Sequence, residues 1–74
     1  MDETLRLWGE NIKARRTALG LTQYALADLM DVRQPTIFRW ERGQMEPKRQ
    51  HKAKLAQVLG TDVRLLFPMT RTAA

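Results

Sequence analysis

The amino-acid sequence predicts an all-α domain of five short helices. Apolar residues recur at three- and four-residue spacings along most of the 74 residues, which is the periodicity of amphipathic helices. No segment alternates apolar and polar residues between hairpin signals, so a β-sheet is not expected. Capping residues and glycines divide the periodic stretch into five parts. We expect one domain over residues 1–69 and a frayed tail over residues 70–74.

The first two helices are delimited by a glycine and a capping threonine. The first is predicted over residues 5–19 and ends at Gly20, which suits the left-handed position after a helix. Thr22 is a good N-cap for the second helix, which ends near Met30. Asp31 follows, and aspartate adopts the left-handed conformation at modest cost. The inward positions of these helices are Leu5, Trp8, Ile12, Leu19, Leu26, Ala27 and Met30.

Three further helices follow after a three-residue break. The third spans residues 34–42, with Pro35 in its first turn, where the missing N–H has no intrahelical partner. Gly43 closes it. The fourth spans residues 48–59, and a final short turn begins after Asp62. We expect Ile37, Trp40, Leu55, Ala56 and Leu59 to face inward, and His51, Lys52 and Lys54 to lie on the exposed face of the fourth helix.

The composition argues against several classes of protein. With no cysteine and one histidine, neither disulfides nor thiolate or multi-histidine metal sites are expected. No nucleophile–base set and no phosphate-cradling glycine loop stands out, so we expect no enzyme, no cofactor and no small-molecule ligand. No apolar run approaches the roughly 20 residues that span a bilayer, and the acidic N-terminus is unlike a secretion signal. A cytoplasmic protein without a membrane partner is expected.

The positive charge is concentrated in the middle of the chain. Residues 33–54 contain seven basic and two acidic side chains, a net charge of +5 that equals the net charge of the whole protein. In the rest of the chain the numbers of basic and acidic side chains are equal. A clustered excess of this kind is the footprint of a surface that binds a polyanion, although a solvated basic face has the same composition.

Two short helices joined by a three-residue turn, the second of them basic outside, have the layout of a helix-turn-helix. From Ile12 to Phe67 the chain resembles the Cro/repressor-type helix-turn-helix proteins, the five-helix lambda-repressor-like domain of phage repressors and many bacterial regulators. The resemblance rests on LGLTQYALADLMDVRQPTIFRWERGQMEP and LAQVLGTDVRLLF, and it covers about three quarters of the chain. It implies a regulator of transcription that binds double-stranded DNA in the major groove.

The third helix carries the residues that the resemblance assigns to base reading. A helix enters the major groove with its N-terminal residues closest to the bases. Gln34 resembles the glutamine with which the family reads adenine, and Arg39 and Arg33 have the chemistry to pair with guanine O6 and N7. Phe38 suits a thymine methyl group or a neighbouring helix. The expected base-reading set is Arg33, Gln34, Pro35, Phe38 and Arg39, with plain solvent exposure as the alternative for Arg33 and Phe38.

Residues around the third helix are expected to contact the DNA backbone. The family places a glutamine like Gln23 against a phosphate, and helix N-termini favour anions. The segment after the third helix is placed to straddle the phosphates, which adds affinity and register but no sequence information. Its candidate phosphate contacts are Arg42, Gln44, Lys48 and Arg49.

Arg16 and Glu41 match a pair that forms a buried ion pair between the first and third helices of some phage repressors. The resemblance therefore implies a structural role for Glu41 and not a catalytic one. Trp8, Tyr24 and Trp40 occur at helical spacing, so we expect them to pack in or near the core instead of stacking on bases.

A second copy of the chain is expected to complete the DNA-binding unit. Two domains related by a twofold axis place their third helices one DNA turn apart, roughly 34 Å, on a near-palindromic operator. The C-terminal apolar side chains exceed what a short turn can bury. We assign Val63 and Leu66 to the core, and Leu65, Phe67 and Met69 to the interface of a homodimer.

The sequence thus predicts a sequence-specific transcriptional regulator, most like a phage Cro or a small repressor. One alternative is an antitoxin-type DNA-binding module that contacts a protein partner through Phe38, Leu65 and Phe67. Another is an architectural or excision factor that bends DNA. Selection of bound sequences from random duplex DNA would distinguish the hypothesis of a sequence-specific regulator by the motif, symmetry and half-site spacing of the product.

Overall fold

Five α-helices pack together, and residues 2–69, which the computed structural model describes, contain no strand. The helices are α1 Glu3–Ala18, α2 Gln23–Met30, α3 Gln34–Glu41, α4 Arg49–Val58 and α5 Val63–Leu66. The predicted all-α fold of five helices is confirmed, and the predicted helix ends agree with the observed ones to within two residues. The tail predicted over residues 70–74 lies outside the described residues.

α1 begins earlier than the periodicity predicts because Asp2 caps it. The Asp2 carboxylate accepts a hydrogen bond from the backbone N–H of Thr4 at 2.8 Å, which satisfies a donor that has no intrahelical partner. Past the other end, Gly20 has a φ of 73°, the left-handed conformation predicted there. The inward position assigned to Leu19 is wrong. Its side chain is 48% exposed because Leu19 is the C-cap, beyond the last helical residue.

Both predicted ends of α2 are confirmed. The Thr22 hydroxyl accepts a hydrogen bond from the N–H of Ala25 at 3.0 Å, and Asp31 follows the helix with a φ of 57°. Aspartate tolerates this left-handed conformation better than most residues. The N–H of Val32 then donates to the carbonyl of Ala27 at 3.0 Å. The turn between α2 and α3 is therefore closed by backbone bonds, and it sets the direction of α3.

α1 and α3 cross in close contact at two glycines. A Cβ on Gly9 would lie 2.5 Å from the carbonyl oxygens of both Trp40 and Glu41, so only glycine permits this approach. Gly43, after α3, has a φ of 69°, and a Cβ there would lie 2.8 Å from the Cα of Arg6. The sequence predicts the turn at Gly43, but the helix contact at Gly9 was missed because no local pattern marks it.

Each helix packs one side into the hydrophobic core. Trp8 and Trp40 lie in it as predicted, at 6% and 2% exposure. Tyr24 does not: its side chain is 70% exposed at the first turn of α2, so the core position predicted for it is wrong. The buried apolar side chains are Trp8, Ile12, Leu26, Ala27, Met30, Ile37, Trp40, Leu55, Ala56, Leu59, Leu66 and Phe67.

The face of α4 that was expected to be solvated is partly buried. The Nζ of Lys52 lies 2.8 Å from an oxygen of Glu46 and 4.2 Å from the ring centroid of Trp8, and Lys52 is only 8% exposed. His51 is half-buried, with its ring centroid 5.2 Å from that of Trp40. Only Lys54 of the three is exposed as predicted. An ion pair together with ring contact allows a lysine to be buried, and hydropathy alone does not reveal such partners.

Side chains of α1 hold the C-terminal segment in place. The indole Nε1 of Trp8 donates to the carbonyl of Pro68 at 2.7 Å, and the Asn11 amide donates to the carbonyl of Leu66 at 3.0 Å. One turn further, Nε of Arg15 donates to the carbonyl of Leu59 at 2.8 Å. These bonds satisfy carbonyls at the ends of α4 and α5 that have no helical partner.

The arrangement of the C-terminal segment corrects two predictions. Phe67 is 1% exposed and meets Trp8 edge to face, with ring centroids 5.6 Å apart, so it packs in the core and not on the exposed surface expected of a dimer interface. Val63, expected in the core, is 42% exposed. Leu66 is buried as predicted, whereas Leu65 and Met69 are 72% and 70% exposed. Successive side chains of a helix point in different directions, so neighbouring residues of the single-turn helix α5 differ in burial.

Candidate nucleic-acid interface

α3 presents one face to the core and the opposite face to solvent. Ile37 and Trp40 anchor the inner face at 0% and 2% exposure. Since residues three and four apart share a side, their spacing leaves Pro35, Phe38 and Arg39 on the outside. The outer face consists of Arg33, Pro35, Phe38 and Arg39, all exposed, and of half-buried Gln34. The five residues predicted to read bases are therefore brought together on one surface.

A buried ion pair fixes α3 against α1. The guanidinium of Arg16 donates from Nε to Oε2 of Glu41 at 2.6 Å and from Nη2 to Oε1 at 3.0 Å. Its Nη1 donates to the carbonyl of Leu21 at 2.8 Å, just before α2. The carboxylate of Glu41 raises the pKa of Arg16, by hydrogen bonding first and by charge attraction as well, against the opposing effect of burial. The pair implied by the resemblance is present, and it ties three helices together.

Gln23 connects this ion pair to the outer face of α3. Its Nε2 donates to Oε1 of Glu41 at 3.0 Å, and its Oε1 accepts a hydrogen bond from Nε2 of Gln34 at 2.8 Å. A primary amide carries two N–H groups, so Gln23 retains one donor for another acceptor. The sequence indicated a phosphate contact for Gln23 but not this internal role, which depends on three helices meeting.

Phe38 and Arg42 form a pair along the outside of α3. The guanidinium carbon of Arg42 lies 5.5 Å from the ring centroid of Phe38, within the range of a cation–π contact. Phe38 is 40% exposed. Its ring holds the guanidinium of Arg42, the C-cap residue of α3, one turn further along the chain.

The other predicted phosphate contacts lie between the end of α3 and the first residue of α4. Its course is set by Gln44, whose N–H donates to the carbonyl of Arg39 at 2.9 Å, and by Pro47, which is buried. Glu46, the acidic residue of this segment, is engaged by Lys52. The exposed basic and amide side chains of this stretch are Arg42, Gln44, Lys48 and Arg49.

Residues 2–69 contain neither a membrane-spanning helix nor a cluster of metal-binding side chains. None of the helices combines the length and apolarity needed to cross a bilayer. Within the same residues, no three side chains of the metal-binding types His, Cys, Asp and Glu lie together as an ion site would require.

Comparison with protein families gives a match to the family described as helix-turn-helix over residues 12–66. The chain is 37% identical over 54 residues to repressor protein C2 of Salmonella phage P22, an alignment that covers 73% of this chain and 25% of that protein. The chain spans about a quarter of the length of the curated relatives it matches.

Solved structures with this fold include a controller protein and a repressor DNA-binding domain, both of similar size to this chain. The restriction-modification controller protein C.AhdI from Aeromonas hydrophila superposes with a TM-score of 0.84 at 33% identity, covering 89% of this chain and 100% of that one. The DNA-binding domain of the P22 C2 repressor, solved by nuclear magnetic resonance, gives 0.78 at 31% identity, covering 96% of both chains.

Proposed function

Because this chain belongs to the helix-turn-helix family, we propose that it is a sequence-specific regulator of transcription that binds double-stranded DNA with α3 in the major groove. It is most like a phage Cro or a small repressor, and it acts by occupying an operator. The outer face of α3 is the observation that carries this proposal. There the amide of Gln34 is already oriented by Gln23, and Arg39 is exposed further along the same helix.

The proposed readout assigns different chemistry to each part of the outer face. The Gln34 amide pairs with adenine N6 and N7, and the Arg39 guanidinium pairs with guanine O6 and N7. Pro35 and Phe38 offer apolar surface to thymine methyl groups. Arg33 is a further candidate for guanine. Backbone contacts come from Gln23, through its remaining N–H, and from Arg42, Gln44, Lys48 and Arg49.

The function is tested by selecting bound sequences from random duplex DNA and titrating variants on the product. Gln34→Ala and Arg39→Ala should each lose about 1–3 kcal/mol of discrimination at one base pair. Gln57→Ala, an exposed glutamine on α4, is the matched control and should keep the preference. A wild-type chain that selects no motif would overturn the proposal, and so would an unchanged preference in both α3 variants.

The proposed regulator binds a near-palindrome as a homodimer. Leu65, Met69 and Val63, all exposed, supply the apolar contact, and hydrogen bonds from α1 hold the C-terminal segment that carries them. Sedimentation should detect self-association that Leu65→Ser weakens, and the operator should bind two chains. A monomer in solution that also binds its selected site as one chain would reject the dimer.

A DNA-binding antitoxin-type module is the second candidate, because the surface at Leu65 and Met69 also suits a different protein. It predicts a partner that co-purifies at fixed stoichiometry and competes with self-association. In either case we propose a cytoplasmic protein that works by binding and not by catalysis. Glu41, the buried carboxylate, is held by Arg16 and Gln23 and is unavailable as an acid or base.

A further inference from the structure

Tyr24, which has none of the roles above, lies on an open groove. The groove runs between the first turns of α2 and the start of α3. Tyr24 and Asp28 contribute to it from α2, and Arg33, Gln34 and Pro35 contribute from the other side. It therefore adjoins the residues proposed to read bases.

Within residues 2–69, neither the Tyr24 hydroxyl nor the Arg33 guanidinium has a partner. Tyr24 is 70% exposed, and its hydroxyl has no hydrogen-bond partner among residues 2–69. Arg33 is exposed too, and its guanidinium makes no hydrogen bond or ion pair within the same range. Neither polar group therefore contributes a contact that stabilises residues 2–69.

We propose that this groove binds one phosphate of the DNA backbone, with the Tyr24 hydroxyl donating a hydrogen bond to a phosphate oxygen and the Arg33 guanidinium supplying the positive charge. The inference rests on the proposed function. It adds Tyr24 to the DNA-contacting residues and moves Arg33 from base reading to backbone binding.

The position of the groove favours a phosphate over a base. Phosphates border the major groove on both sides, and arginine and tyrosine are among the side chains that contact them. Gln34 lines the same groove, and its amide donates to Gln23 on α2, which is itself proposed to contact a phosphate. The carboxylate of Asp28 lies one turn from Tyr24 on α2 and repels anions, so the positive charge of Arg33 is needed to hold a phosphate there.

The test compares Tyr24→Phe and Arg33→Gln with wild type on the selected duplex and on a scrambled duplex, over a series of salt concentrations. Tyr24→Phe should bind about tenfold more weakly to both duplexes, as expected for a hydrogen bond to a charged group. Its salt dependence should not change, because a neutral phenol releases no counterion. Arg33→Gln should reduce the slope of log K against log salt by about 0.9, the value for one phosphate.

The control is Arg64→Gln, which removes an exposed cation from α5, a helix that packs on α1 and α4. It should leave affinity and slope unchanged. Wild-type affinity in Tyr24→Phe would overturn the inference, and so would an Arg33→Gln variant that relaxes preference at a single base pair. The proposed function would survive either result, provided that the wild-type chain still selects its motif. Absence of any motif would remove both.

Discussion

The side chain of Gln34 donates a hydrogen bond to Oε1 of Gln23 at 2.8 Å, and this contact links the outer face of α3 to the buried interior. Gln23 donates in turn to Glu41 at 3.0 Å, and Glu41 is held by Arg16. A residue proposed to read a base is thereby oriented before DNA arrives. Fixing its rotamer in advance reduces the ordering cost of binding.

The first prediction concerns this chain of contacts. Gln23→Ala should reduce discrimination at the base pair read by Gln34 by about tenfold, comparable to one lost hydrogen bond, although Gln34 itself is intact. Competition titrations with operators altered at that base pair measure the effect, with Gln57→Ala as control. If affinity falls equally for all sequences, Gln23 acts only as a phosphate contact and the orienting role is wrong.

The second prediction concerns the Arg16–Glu41 ion pair. Arg16→Met should lower the free energy of unfolding by about 3–5 kcal/mol, because it leaves the Glu41 carboxylate buried without its charge partner. The side chain of Glu41 is only 2% exposed. Urea denaturation at neutral pH measures the change.

Two further variants identify burial as the cause. Arg16→Met combined with Glu41→Leu should be less destabilised than Arg16→Met alone, since no buried charge remains. Arg64→Ala, which breaks the exposed contact with Asp62, should change stability far less than Arg16→Met does, because solvent screens the pair. Equal losses in Arg16→Met and Arg64→Ala would contradict the prediction.

The third prediction concerns the crossing of α1 and α3. Gly9→Ala should destabilise the fold by about 3 kcal/mol, the upper range for overpacking, because the new Cβ meets two backbone carbonyl oxygens at 2.5 Å. Gly20→Ala is the matched comparison. It has no atom within 4 Å of the new Cβ, but its φ is 73°, so it should cost only about 1–2 kcal/mol for the left-handed conformation. Thermal unfolding with the reverse order of stability would refute the close approach.

The fourth prediction concerns acid stability at the start of α5. The pKa of Asp62 is lowered from its ordinary 3.8, first by the hydrogen bond from the backbone N–H of Arg64 and then by the Arg64 side chain. A carboxyl whose folded pKa lies below its unfolded pKa stabilises the fold above the unfolded value, and the contribution is lost as the pH falls through the folded one.

Asp62→Ser tests whether Asp62 makes the fold lose stability as the pH falls. Serine keeps the N-cap but does not titrate, so the variant should lose less stability than wild type between about pH 5 and about pH 2. Urea midpoints measured across this range give the comparison. An identical decline in both proteins would show that Asp62 contributes nothing to the acid response.

The helix boundaries could be predicted because local chemistry decides them. Thr22 caps α2 and Gly43 closes α3 through interactions that span a few residues, and such signals are legible in sequence. The core positions of Trp8 and Trp40 followed from periodicity. Tyr24 shows the limit of that method, because an aromatic residue at helical spacing need not face inward when the helix has only two turns.

By itself, then, the sequence determined the five helices, the helix-turn-helix layout and the basic surface, since these depend on neighbouring residues and on composition. Only the tertiary structure decided that Phe67 is buried, that Lys52 is paired inside the fold, and that Gln23 orients Gln34. Each of those outcomes depends on side chains far apart in sequence meeting at hydrogen-bond or van der Waals distance. Residue type and periodicity do not encode such distances, because these are set by how the helices pack.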